Sequence, residues 1–209
     1  MQRFFACPSL LFMSQRVHQL DPNSLRAVAH PLRMRLLFAL REGGPATASQ
    51  LAAKLGESSG ATSYHLRQLA AKGFVEDDPE RQGQGGRERW WRSAYTSIAV
   101  EHLEDFLEHP DPEVRGAMNL YLQEVAARHT IELSTWLGTM HEWPEVWQGL
   151  GDMSSMRLRL TPERARELDE KIHALINDFG DDPPEAKDAA RVRIHLHAFP
   201  IPDTPEESS

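Results

Sequence analysis

The chain has 209 residues, 40% hydrophobic and 26% charged, with a single cysteine at Cys7. That length allows one large domain or two small ones, and the composition excludes collagen-like, wholly disordered and multi-span membrane classes, while one thiol excludes a disulfide scaffold or an all-thiolate zinc site. The net charge of −8 is uneven: residues 1–20 hold two arginines and no acid, 21–95 hold 11 Lys and Arg against 8 Asp and Glu, and 96–209 hold 10 against 23. Only the first half therefore suits a phosphate backbone.

In chain order, Arg3 precedes an apolar run over 4–13 that faintly resembles a signal peptide but has Pro8 in its middle and no Ala-x-Ala exit. The run is too short to span a bilayer, which takes about 20 residues. Residues 1–20 are read as a dimer-packing arm or an over-extended start with Met13 as the initiator, and the chain as a protein of the reducing cytosol with no membrane partner.

From Ser24 the apolar positions fall into short helical stripes: Leu25, Val28 and Ala29, then Leu32, Leu36, Leu37 and Leu40 behind Pro31. Thr47 is a cap for a helix carrying Leu51, Ala52 and Leu55, with Gly56 in the left-handed closing position. Ser58 or Ser59 caps the next helix, 61–72, which turns Thr62, Leu66, Leu69 and Ala70 one way and Ser63, Tyr64, Arg67 and Gln68 the other. Two short helices joined through Gly and Ser predict a helix-turn-helix whose second helix can enter a major groove. After Gly73 the pattern turns strand-like through Phe74 and Val75, then a Gly-rich tip, then Arg87 to Arg92: a hairpin, or wing, over 74–92. Its Arg81, Arg87 and Arg89 are placed to meet phosphate.

Three stretches in this order carry a family resemblance: Ala29-His30-Pro31-Leu32-Arg33-Met34-Arg35-Leu36-Leu37, Thr62-Ser63-Tyr64-His65-Leu66-Arg67-Gln68-Leu69-Ala70-Ala71-Lys72-Gly73-Phe74-Val75, and Gly86-Arg87-Glu88-Arg89-Trp90-Trp91. Residues 21–95, somewhat over a third of the chain, resemble the winged-helix domain of ArsR-type bacterial transcriptional regulators. The resemblance implies a homodimer on a two-fold-symmetric operator in double-stranded DNA. It implies base reading by the helix with Ser59, Thr62, Ser63, Tyr64, His65, Arg67 and Gln68, and backbone contact by the wing. The plainer reading packs Thr62 between helices, sets His65 at a core edge and gives Trp90 or Trp91 to the core.

Beyond the wing, a short helix over 101–108 is expected to turn Leu103, Phe106 and Leu107 inward. Asp111 caps a long helix on which Val114, Met118, Tyr121, Leu122, Val125, Leu133, Trp136, Leu137 and Met140 recur at helical spacing. Its length of about 40 Å suits a dimer spine, so 98–150 is read as a helical dimerisation region. Met156, Leu158 and Leu160 alternate with arginines, Thr161 and Pro162 open a helix, and Val192, Ile194, Leu196 and Ala198 alternate with Arg191, Arg193, His195 and His197. Residues 154–200 are thus expected to form a strand-helix-strand unit, a possible site for an unknown effector, and 201–209 a disordered tail. The fold class is mainly α with small β.

No cofactor is expected. There is no Cys-x-Cys, and His102, His109, His129 and His141 form no i, i+4 pair, while His195 and His197 share a strand face with arginines that repel a metal. No Ser/His/Asp set, nucleotide loop or HExxH motif is visible, and the acids Glu76, Asp77 and Asp78 solvate a turn, so an enzyme is not expected. The expected function is a dimeric DNA-binding regulator. Its alternatives are a winged helix kept as a protein-interaction module without specific DNA binding, and a His-based metal-responsive repressor.

Overall fold

A computed structural model of the chain describes residues 16–81, 89–100, 102–183 and 185–202. Residues 1–15 of the expected arm or false start over 1–20, the wing tip with Arg87, and residues 203–209 of the expected tail over 201–209 lie outside these residues. The chain divides into two compact units, Met1–Arg128 and His129–Ser209.

The first unit opens with strand β1, Val17–Gln19. Helix α1, Pro22–Val28, starts from a reciprocal cap in which the Asp21 carboxylate accepts from the Asn23 and Ser24 N–H groups and the Ser24 side chain answers the Asp21 N–H. Helix α2, Pro31–Gly43, has proline at its first position and His30 as cap, with Nδ1 accepting the Leu32 N–H at 3.2 Å. Strand β2, Ala46–Thr47, leads into α3, Ala48–Leu55, where Thr47 and Gln50 form a capping box and Gly56 closes the helix at φ 69°.

Helix α4 runs Ser59–Ala71, two residues earlier than expected, because Ser58 is the cap: its Oγ accepts the Ala61 N–H at 3.1 Å. Gly73, at φ 74°, turns the chain out of α4. Strands β3, Val75–Asp77, and β4, Trp90–Ser93, pair antiparallel, and β2 joins β4 on its other edge. Strand β5, Ser97–Ala99, pairs parallel with β1, an addition that no sequence pattern announced.

One core holds this unit together. Leu25, Val28, Leu36, Leu66, Leu69 and Phe74 are wholly buried in it, and Trp91 from β4 is 3% exposed. The core reaches past the wing. In α5, Leu103–Leu107, Phe106 is buried but Leu103 and Leu107 are exposed, contrary to expectation, since a helix of five residues has room for one inward side chain.

Helix α6, Pro112–Thr139, has 28 residues, so at 1.5 Å per residue it is about 42 Å long. The Asp111 carboxylate accepts the Glu113 N–H at 2.9 Å and pairs with Arg26 of α1. Val114 and Met118 are wholly buried in the first unit's core, with Tyr121 and Leu122 packed against it. The expectation that Val114 and Met118 serve dimerisation is corrected: their own domain already covers them.

The second unit takes in the rest of α6, then α7, Glu145–Gln148, and α8, Pro162–Phe179, capped by the Thr161 hydroxyl and closed at Gly180. The helix stands where the sequence placed it. The strands expected around it at 156–160 and 192–198 do not form among the described residues. A two-stranded sheet is marginal without a third strand or a packed face, and these segments have neither, with Met156 84% and Val192 66% exposed.

Candidate nucleic-acid interface

Helix α4 is positioned by its buried side. Thr62, Leu66 and Leu69 are 0% exposed, which aims the rest of the helix at solvent. Thr62 therefore leaves the set of DNA-reaching residues: it lies between helices, as its plainer reading had it. Ser59, Tyr64, Arg67 and Gln68 are exposed and Ser63 is half-buried. The Arg67 Nε donates to the Ser63 carbonyl at 3.1 Å, which holds this exposed side chain along the helix. Tyr64 is 54% exposed, a large aromatic surface for a helix that packs on its opposite face.

His65 is an inward-facing member of the expected set. Its ring lies 4.4 Å from that of His30 and 5.1 Å from that of Tyr64, and its Nδ1 is buried without a hydrogen-bond partner. Burial, then His30 and Arg33, hold its pKa below the ordinary value against the pull of Glu57. The pair therefore favours neutral rings, one of which caps α2. Arg35 fixes the other end of the motif: it donates to the Leu55 carbonyl at 2.6 Å and pairs with Glu57 at 2.9 Å, tying α2 to the turn between α3 and α4.

The wing is an ion-paired hairpin. Glu76 and Arg92 are register partners and pair at 2.8 Å, and Asp77 pairs with Arg89, whose Nη2 lies 2.9 Å from Oδ2. Arg89 also stacks over the Trp91 ring at 4.0 Å, and Arg81 lies over Trp90 at 5.1 Å while reaching Asp78 at 3.7 Å. The acids Glu76, Asp77 and Asp78 thus balance the wing cations and do not merely solvate a turn. The Asp77 carboxyl is held below the usual carboxylate range by its hydrogen bond to Arg89.

Sequence reading missed two groupings. Asn23 and Arg26 of α1, Arg33 of α2, and Gln68 and Lys72 at the far end of α4 line one open notch. In the second unit, His129 and Glu132 of α6 meet His195 and His197: His129 Nδ1 is 3.2 Å from His197 Nε2, the His129 and His195 rings stack at 3.8 Å, and His195 Nε2 is 3.0 Å from Glu132 Oε2. Arg193 shares that carboxylate oxygen at 3.5 Å. The alternating His195-Leu196-His197 was visible in the sequence, but nothing there paired it with a residue over sixty positions earlier. Among the described residues no three potential ligands are posed around one point for a metal ion. Nor, among them, is any helix long and apolar enough to cross a membrane.

Residues 28–78 match the family model of a helix-turn-helix domain, the stretch from α1 to the first wing strand. A search of curated proteins finds no match. Among solved structures, a protein described as a possible transcriptional regulator for arsenical resistance is 27% identical over 51% of this chain and 84% of its own, with a TM-score of 0.29. A mutant of Lactococcus lactis ZitR in apo form is 16% identical over 76% of this chain and 86% of its own, TM-score 0.29. RV1404 from Mycobacterium tuberculosis is 13% identical over 78% and 88%, TM-score 0.28. Fold and family model together place a helix-turn-helix domain followed by wing strands within the first unit.

Proposed function

We propose that the protein is a DNA-binding transcriptional regulator of the ArsR-like winged-helix kind, acting as a homodimer that reads an operator with α4 and touches the duplex backbone with the wing. The observation that carries this reading is the split character of α4. One side is locked into the core by Thr62, Leu66 and Leu69, and the other presents Ser59, Ser63, Tyr64, Arg67 and Gln68 in a helix-turn-helix domain. The N-terminal residues of such a helix are the ones that meet base edges in the major groove.

Arg89 and Arg81 sit on the wing beside acids, so their contacts to phosphate compete with their ion pairs and contribute less than free arginines. Dimerisation is assigned to the later turns of α6, where Leu133 is 40% and Leu137 42% exposed and Trp136 is half-buried, with Val125 at the near end and half-buried Met140 in the 3-10 turn, Met140–Glu142, that follows. A two-fold pair offers two copies of α4 to successive major grooves about 34 Å apart.

The test is binding to duplexes selected from a random pool. Arg67→Ala weakens the selected duplex by about 1 to 3 kcal/mol more than a random one if it makes a bidentate base contact. Equal loss on both removes base reading from Arg67, and a full-length monomer in solution at micromolar concentration removes the dimer.

A further inference from the structure

Helices α1, α2 and α4 meet at the open notch lined by Asn23, Arg26, Arg33, Gln68 and Lys72. Tyr64, Gln68 and Lys72 follow one another at four-residue steps on α4, so the notch continues the ridge whose first half faces solvent beside the proposed base-reading residues. Arg33 crosses from α2 to that ridge. It is half-buried, its Nε is buried with no hydrogen-bond partner, and its Nη2 reaches only the Arg26 carbonyl, at 3.4 Å.

A guanidinium has five N–H donors and no acceptor, and removing it from water without a partner is costly. Among the described residues neither Arg33 nor Lys72 has a carboxylate within ion-pair distance, whereas Arg26 at the rim is engaged by Asp111. The notch therefore holds two uncompensated cations and the neutral amide donors of Asn23 and Gln68. Two cations and two amide donors together are complementary to an oxyanion. An enclosed cavity would suit a small effector; this notch is open to solvent, sets the heads of Arg33 and Lys72 over a largely apolar wall and lies in line with α4, which suits a phosphate that belongs to a larger surface.

We propose that Arg33, Lys72, Gln68 and Asn23 form a phosphate-binding subsite that takes one backbone phosphate of the duplex flanking the groove entered by α4. The subsite rests on the DNA-binding reading above and deepens it. It fixes the register of the helix on the duplex without reading sequence, as phosphate contacts do.

The experiment measures binding of the full chain to a selected and to a random duplex of equal length across a range of salt. Each lost phosphate contact lowers the log-log slope by about 0.9. Arg33→Gln and Lys72→Gln each lower the slope and weaken both duplexes alike, whereas Arg33→Lys retains most of the slope. Lys72 is exposed, so its variant keeps the test open if Arg33→Gln fails to fold. Unchanged slopes in folded variants overturn the subsite. So does binding of inorganic phosphate by the DNA-free protein, followed by phosphorus NMR and lost in Arg33→Gln, when the duplex slope is unaltered: the notch is then a small-anion site. If the unaltered chain binds no duplex, the function reading falls and the subsite with it. If it binds and Arg67→Ala weakens it while the notch variants do nothing, only the subsite falls.

Discussion

Among the described residues, twenty apolar side chains between Leu20 and Met118 are buried, whereas from His129 onward no residue is. Both regions have amphipathic helices with sound caps. The difference lies in what their apolar sides meet. Leu66 of α4 and Leu36 of α2 share one core, but Leu175 on α8 is 67% exposed and Phe179 is 89% exposed. Local pattern is enough to start a helix, and tertiary burial is what holds it. The second unit thus has the local half of the specification and, among its described residues, lacks a covering surface for side chains such as Leu175 and Phe179. A second copy of the chain is the proposed cover, because Leu133 and Leu137 lie on the helix that continues from the DNA-binding unit.

The largest expected effect separates the units directly. Leu66→Ala deletes a fully buried side chain and should lower unfolding stability by about 2 to 5 kcal/mol in urea titrations. Leu175→Ala at high dilution should stay within about 0.5 kcal/mol, as exposed positions do. At concentrations where the chain is paired, its cost should grow. A cost for Leu175→Ala that is large and independent of concentration would show a core within a single chain, and would break the comparison.

Much of the first unit could be read from residue spacing because its elements are specified locally. Thr47, Pro31 and Gly56 mark helix ends by chemistry that acts over three or four residues, and they stand where expected. The outer face of α4 was likewise visible, since one helical period sorts Leu66 from Arg67. What spacing could not show depends on long-range partners. Parallel pairing of β1 with β5 joins residues about eighty apart, the same separation that hides Asp111 from Arg26. The alternation at 156–160 and 192–198 is a strand pattern, yet a strand needs a neighbour, and alternation says nothing about whether one is present. Val114 and Met118 show the converse failure: periodicity marked an apolar stripe correctly but could not say which surface it met.

A smaller effect sharpens the contrast at two matched caps. Thr47 and Thr161 both accept an N–H three residues on, from Gln50 at 3.3 Å and from Arg164 at 3.4 Å. Thr47→Ala should cost about 1 kcal/mol of cooperative unfolding free energy, because α3 unfolds with the core. Thr161→Ala should leave that transition in place and show itself as faster amide exchange confined to α8. Equal shifts of the main transition would mean that α8 unfolds with the first unit.

The smallest effect is set by pH, and it has a different reach in each unit. In the first, burial holds the pKa of both His30 and His65 below the ordinary value of 6.5, and Arg33 adds to it. In the second, burial lowers His129, reinforced by His195 and His197, and lowers His195 against the opposing pull of Glu132. A histidine depressed in the folded state binds fewer protons there than when unfolded, so stability rises with pH in that interval. The contribution is complete above 6.5 and is lost as pH falls through the depressed folded values. The melting temperature should therefore be flat above neutrality and fall below it. His30 offers a clean test, because its Nδ1 must be unprotonated to accept the Leu32 N–H, whereas asparagine caps equally well without titrating. His30→Asn should keep the neutral-pH melting temperature and flatten the acid slope. Below 6.5 the unaltered chain should also show exchange broadening at His129 and His195 before the first unit melts, since no core anchors their segment. A slope that His30→Asn leaves untouched would remove His30 as its source, and one that His30→Asn combined with His65→Asn also leaves untouched would place the acid sensitivity outside the helix-turn-helix.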